Sequence, residues 1–446
     1  MNIARLYYIN GDLQYDILLL LFISTLGIYI LIAHFLNDLR PKFLLASLLL
    51  GIFFYSGFGI AYEDVNDIFV LHYILFIFCF SVPFLLCKEI KKNKKVLNSF
   101  DKGLLKNHIR LRYIAYFYLV LNLIPIIYPE FRLFDIFSFK DESVHVLRES
   151  MSKYPLIGLV DLLLVLIAPF FYAYFTVSQK KNGQTKEPLV LFILLIILQY
   201  GRFNYIQRNE IMTDAVNLIL ITFCVKGFYY KIKWRHIALG ITFGLLMIPF
   251  LFLYTYYRTG NEYIGDVSYS TLLDLLTKSE FFYPSFYSDI IEHANKYSES
   301  IINFILYVIC LPIPSAIFPG KPTYHAIETF TYLFTGMERG DTGFYILLPS
   351  ILGESFIYGG EKLFWVFPLC SGLIISFIFK YLCTKKTLTF YTFYVIVFAF
   401  TYGRGGTMGL LPLLINGSLA IFIYDIYAKL NIKPGKVKIR KIKHKN

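Results

Sequence analysis

About 20 consecutive apolar residues let an α-helix cross roughly 30 Å of hydrocarbon, and such runs recur along this whole chain. They fall near 15–36, 42–62, 68–87, 111–128, 155–177, 211–230, 235–254, 363–383, 387–402 and 408–427. The stretch 188–201 (PLVLFILLIILQYG) is shorter but continuous and reads as a further crossing. Backbone amides and carbonyls meet no water in lipid, so these segments must bond internally as helices. The expected fold is therefore all-α, a polytopic integral membrane protein of about 11–13 transmembrane helices. Residues 1–446 read as one integral domain. Only 16% of residues are charged, against about 25% in a soluble domain, which is too few to clothe a water-facing surface.

Lysine and arginine in short loops orient such a bundle, because they are retained on the cytoplasmic side. The loop 88–112 carries Lys88, Lys91, Lys92, Lys94, Lys95, Lys102, Lys106, Arg110 and Arg112, and the tail 428–446 is equally basic. Smaller basic loops are Arg40-Pro41-Lys42, Lys180-Lys181, the 226–235 stretch and Lys385-Lys386. Placing all of these inside puts 63–67, 129–154, 202–210, 255–300 and 402–407 outside, and the alternation closes without conflict. The net charge of +13 sits beside the apolar runs. It therefore reads as topology and lipid contact rather than nucleic-acid binding. The six cysteines form no Cys-x-x-Cys or Cys/His ligand pattern, so neither a metal site nor a disulfide framework is indicated. The first apolar run lacks a small-residue cleavage site and reads as a retained span.

Residues 255–362 depart from simple alternation. The region begins and ends outside, yet contains apolar stretches at 301–318 and 343–358, the first broken by Leu311-Pro312-Ile313-Pro314. Two crossings are one reading. The favoured one is a large external loop that dips into the protein and lines a cavity, where irregular backbone survives at membrane depth.

Candidate chemistry collects on the outer side. Arg202, Arg208, Arg258, Arg339 and Arg404 stand at span mouths, against the topological bias for positive charge. Arginine offers a planar fork of donors matched to phosphate oxygens; interfacial snorkelling is the plainer account of any single one. Glycines accompany several of them, as in Tyr402-Gly403-Arg404-Gly405-Gly406, where backbone can approach a ligand. Lys321, between Gly320 and Pro322, could hold a second phosphate as a point charge. Glu354 lies in an apolar stretch, so it should face a partner or a cavity rather than lipid. A structural ion pair with an arginine and a role in proton transfer are its two readings. His325, Glu328 and Asp341 are further candidates for proton transfer.

These residues resemble the O-antigen and capsule repeat-unit polymerases (Wzy type). The resemblance rests on Pro312 to Pro322, on Leu352-Gly353-Glu354 with Tyr358-Gly359-Gly360, on the glycine–arginine elements at 201–208 and 403–406, and on the layout of the whole chain. Family members often carry an arginine after the second proline; this chain has Ser315 there, and Arg339 or Lys321 would take that place. The resemblance implies a GT-C-like helical bundle with a large external loop. It also implies an enzyme of the bacterial inner (cytoplasmic) membrane that works on the outer, periplasmic face. A glycan on undecaprenyl pyrophosphate would be moved onto the next lipid-linked repeat unit, with no cofactor or metal. Glu354 or His325 would serve as base, and Arg202, Arg208, Arg258, Lys321, Arg339 and Arg404 would bind pyrophosphate. A chain-length regulator and a flippase would be partners, alongside membrane lipids.

Two other classes remain open, another transferase with a lipid-linked glycan donor and a transporter. An O-antigen ligase shares this layout, and a polyprenyl-phosphate-sugar transferase would show an acidic pair in its first external loop, where this chain has Glu63-Asp64 and Asp67. A transporter or flippase for lipid-linked oligosaccharide would show inverted repeats and interrupted spans, and no internal repeat is evident.

Overall fold

The computed structural model describes residues 14–61, 67–89, 108–127, 155–182, 186–202, 301–313, 318, 320–322, 326–338, 348–384, 395–396 and 399–429. Among the described residues there are helices, turns and irregular backbone but no strand. In chain order the helices are α1 (Tyr15–Phe35), α2 (Leu39–Ile52), a π-helical turn (Phe53–Gly57), α3 (Phe58–Ala61), α4 (Asp67–Ser81), a 3-10 segment (Val82–Glu89) and α5 (His108–Ile127). They continue with α6 (Pro155–Asn182), α7 (Lys186–Arg202), α8 (Ile301–Cys310), α9 (Ala326–Thr335), α10 (Ser350–Leu363) and α11 (Val366–Thr384). A 3-10 turn (Ala399–Thr401) then leads into α12 (Tyr402–Lys429).

Among the described residues, six helical stretches are long and apolar enough to cross a membrane: Tyr15–Phe35, Arg40–Ala61, Ile68–Cys87, His108–Ile127, Val366–Cys383 and Gly405–Tyr424. Helices α6 and α7 form where apolar runs were expected at 155–177 and 188–201. The expected spans 211–230 and 235–254, most of 387–402 and the basic tail lie outside the described residues. Lipid as the outer solvent explains the surface. On α1 the side chains of Leu19, Leu20, Ile23, Leu26, Ile30 and Leu31 are exposed, although they are apolar. Polar groups inside the bundle bond locally. The Thr25 hydroxyl donates to the Leu21 carbonyl at 2.7 Å, so the Tyr73 hydroxyl 2.9 Å away is the donor to Thr25.

Among the described residues, 301–363 holds the helices α8, α9 and α10. Helix α8 has 10 residues and stops at the first proline pair, with the Ile313 amide turning back onto the Cys310 carbonyl at 3.0 Å. Helix α10 has 14 residues. Residues Ser350 to Tyr358 are all buried, so α10 enters protein rather than lipid, packed against α11, α12 and the π-helical turn.

Contacts between distant segments join ends that the basic loops place on the same side. On the lysine-rich side, the Lys380 ammonium donates to the Leu86 carbonyl at 2.9 Å, Arg112 pairs with Glu187 at 2.7 Å, and His108 Nε2 lies 2.9 Å from Ser178 Oγ. On the other side, the Gln14 amide donates to Ala61 at 2.6 Å, and Ser56 meets Ser350. Glu187, outside the spans, is pushed up by burial, but the Tyr116 hydroxyl and the Arg112 guanidinium outweigh this and hold its carboxyl low.

Arg40, read above as a topology signal, is also a tie between helices. It is 8% exposed. It grips Asp38 through Nε at 3.2 Å and Nη2 at 2.7 Å, and Nη1 donates to the Cys383 carbonyl at 3.1 Å. Asp38 in turn caps the start of α2 by accepting from the Arg40 amide at 3.0 Å. A cation suits the α11 end, where unpaired carbonyls carry partial negative charge. Arg40→Ala strands both the carboxylate and the carbonyl, and a loss of about 3 kcal/mol is expected. It reads out as a lower thermal midpoint of the detergent-purified protein.

Candidate functional site

Unusual backbone marks one place in the fold. The π-helical turn Phe53–Gly57 interrupts the second span. Ser350 opens α10 with a left-handed φ of 55°, and Gly360 and Gly406 break α10 and α12 at φ 59° and 60°. Helix α10 packs on both the π turn and α12, and α12 also packs on the π turn. Ser56 Oγ of the π turn and Ser350 Oγ are 3.2 Å apart, a long buried hydrogen bond. Such outliers persist only where surrounding structure enforces them, and they concentrate at functional sites.

Glu354 sits at this junction with no exposed surface. Both of its carboxylate oxygens accept from the Thr407 amide, at 3.0 and 2.9 Å. The cause is the break in α12. Gly406 has φ 60° and ψ −154°, a combination open to glycine alone, so Thr407 begins a fresh helical segment. Its amide has no partner within its own helix, and the helix start carries partial positive charge. Glu354 thus caps α12 from another helix. The partner the structure describes for Glu354 is this backbone amide; the arginine side chains of the ion-pair reading lie outside the description.

The glycines of 402–406 have separate roles. A Cβ on Gly406 would collide with the Glu354 carboxylate, and one on Gly403 would collide with the backbone of Gly51 and Ile52. Both approaches are to protein, not to a ligand as the sequence suggested. Only Gly405 faces open space, with nothing within 4 Å of a built Cβ.

Two hydroxyls beside Glu354 were not legible as site residues. Thr407 Oγ1 and the Tyr402 hydroxyl are fully buried, and neither has a partner with hydrogen-bond geometry. Thr407 borders the carboxylate through its amide, and Tyr402 opens the same helix five residues earlier. Tyr402 also faces Ser371, whose own proton goes to the Pro368 carbonyl at 3.2 Å. The Gly-Gly-Thr order at 405–407 was the available signal for a helix start, but it was masked by the apolar run that follows.

Of the other candidates, Lys321 donates from Nζ to the Ile313 carbonyl at 2.8 Å and closes the proline-rich turn on itself. Arg202 is the last residue of α7 and Arg404 falls in the first turn of α12; their side chains lie outside the description. Glu328 is in the first turn of α9. Arg208, Arg258, Arg339, His325 and Asp341 lie outside the described residues. What the structure brings together is therefore 350–360 with 402–407, two of the stretches that carry the family resemblance. No cluster of His, Cys, Asp and Glu able to hold a metal occurs among the described residues. Compared with protein-family models, curated proteins and solved structures, the chain matches none of them.

Proposed function

We propose that this chain is a glycosyltransferase of the bacterial cytoplasmic membrane. Its reaction joins undecaprenyl-pyrophosphate-linked repeat units of O-antigen or capsule on the outer face. The observation that carries the reading is Glu354, a carboxylate with no exposed surface, held at a glycine break where two resemblance-bearing stretches meet. An ionisable group at such a place in a membrane bundle is a functional candidate by default.

In this reading an acceptor hydroxyl attacks the anomeric carbon of the donor glycan, and its proton passes to Glu354 or His325. The bond from that carbon to the pyrophosphate oxygen breaks, and the electron pair leaves on the lipid pyrophosphate. Charge grows on the leaving group, and preorganised cations stabilise it there; Arg202, Arg208, Arg258, Arg339, Arg404 and Lys321 are assigned to this.

The test uses proteoliposomes supplied with lipid-linked repeat units extracted from a strain lacking its polymerase. A ladder of longer glycans is expected from the wild-type protein, and Arg404→Ala should cut it by about 10²-fold. A second reading is favoured by the two broken helices, since transporters present half-helix starts to anionic groups. Units that cross the vesicle membrane without any new glycosidic bond would establish that reading instead.

A further inference from the structure

Buried hydroxyls normally find partners, so two unpartnered ones beside a buried carboxylate call for an explanation. The Glu354 oxygens share a single amide proton, which leaves most of their lone pairs unused. Tyr402 and Thr407 each keep a proton to donate and lone pairs to accept with. The charges select the occupant. A phosphate would meet the Glu354 carboxylate, and a metal cation would meet the partial positive charge of the α12 helix start. A neutral hydroxyl meets neither objection. It donates to the carboxylate and accepts from Tyr402 and Thr407 together.

We propose that Glu354, Tyr402 and Thr407 form a subsite for a carbohydrate hydroxyl, the one that becomes the nucleophile of glycosyl transfer. This rests on the functional reading above and names what that reading left open. The stacking of Tyr402 on Phe80, with ring centroids 5.9 Å apart, fixes the phenol in place. In the reaction the sugar O–H proton goes to Glu354 while its oxygen bonds to the donor's anomeric carbon, and the pyrophosphate leaves with the bonding pair.

The test measures initial rates of the full-length protein in proteoliposomes against the concentration of extracted lipid-linked repeat units. Tyr402→Phe and Thr407→Val remove only the hydroxyls and leave the Thr407 amide on Glu354. Each should raise KM about tenfold without lowering the thermal midpoint, and Thr407→Ser should restore wild-type KM. Unchanged KM in the Phe and Val variants of an active enzyme overturns the subsite alone. A lowered midpoint with unchanged KM also overturns it, since the hydroxyls then serve the fold. Wild-type protein that makes no polymer overturns the functional reading, and this inference with it.

Discussion

Glu354→Gln is expected to lower polymer formation by about 10²- to 10⁴-fold while the protein still folds. The glutamine carbonyl can keep one bond from the Thr407 amide, so the cap on α12 survives. An amide cannot take up the proton that the acceptor hydroxyl must lose. Glu354→Ala is expected to fail differently, because it also strands the Thr407 amide in a dry core, at about 1–3 kcal/mol. Chain-length gels from a complemented deletion strain read the first effect, and thermal unfolding in detergent reads the second. Normal chain length with Glu354→Gln would remove Glu354 from the chemistry and leave it only as a cap.

The largest loss of stability is expected at Gly406. An alanine there must adopt φ 60° with ψ −154°, at about 1–3 kcal/mol for the backbone alone. Its Cβ would also be driven into the Glu354 carboxylate. Gly406→Ala should therefore give little monodisperse protein and a clearly lower thermal midpoint. Gly405→Ala, one residue earlier and facing open space, should stay within about 0.5 kcal/mol. Adding Glu354→Ala to Gly406→Ala removes the colliding atoms, and partial recovery is expected from such a contacting pair. Equal effects at Gly405 and Gly406 would contradict the assigned break in α12.

Much of the fold was legible because the constraint behind it is local. A stretch such as 15–36 or 68–87 must be helical in lipid whatever it packs against, since its backbone has no other source of hydrogen bonds. The stop of α8 at Cys310 followed from Leu311-Pro312 for an equally local reason, proline's missing amide proton. Glu354 could be singled out because a carboxylate in an apolar stretch is costly wherever it faces lipid. Its partner could not. The sequence reading left an arginine or a proton-transfer role, and the structure supplies a backbone amide 53 residues away. Arg40 shows the same limit. As a basic loop residue it read as a topology signal, whereas its bond to Cys383, 343 residues distant, depends on how α2 and α11 lie together.

Sequence by itself determined that this chain forms helices apolar and long enough for lipid, because hydrophobic length acts segment by segment. Tertiary structure alone decided that Gly406 opens a helix start, that Glu354 fills it, and that Tyr402 and Thr407 stand beside it with hydroxyls unspent. The reason is that an amide's need for a partner is visible in one segment, but the group that meets it comes from whichever segment packing brings within 3 Å.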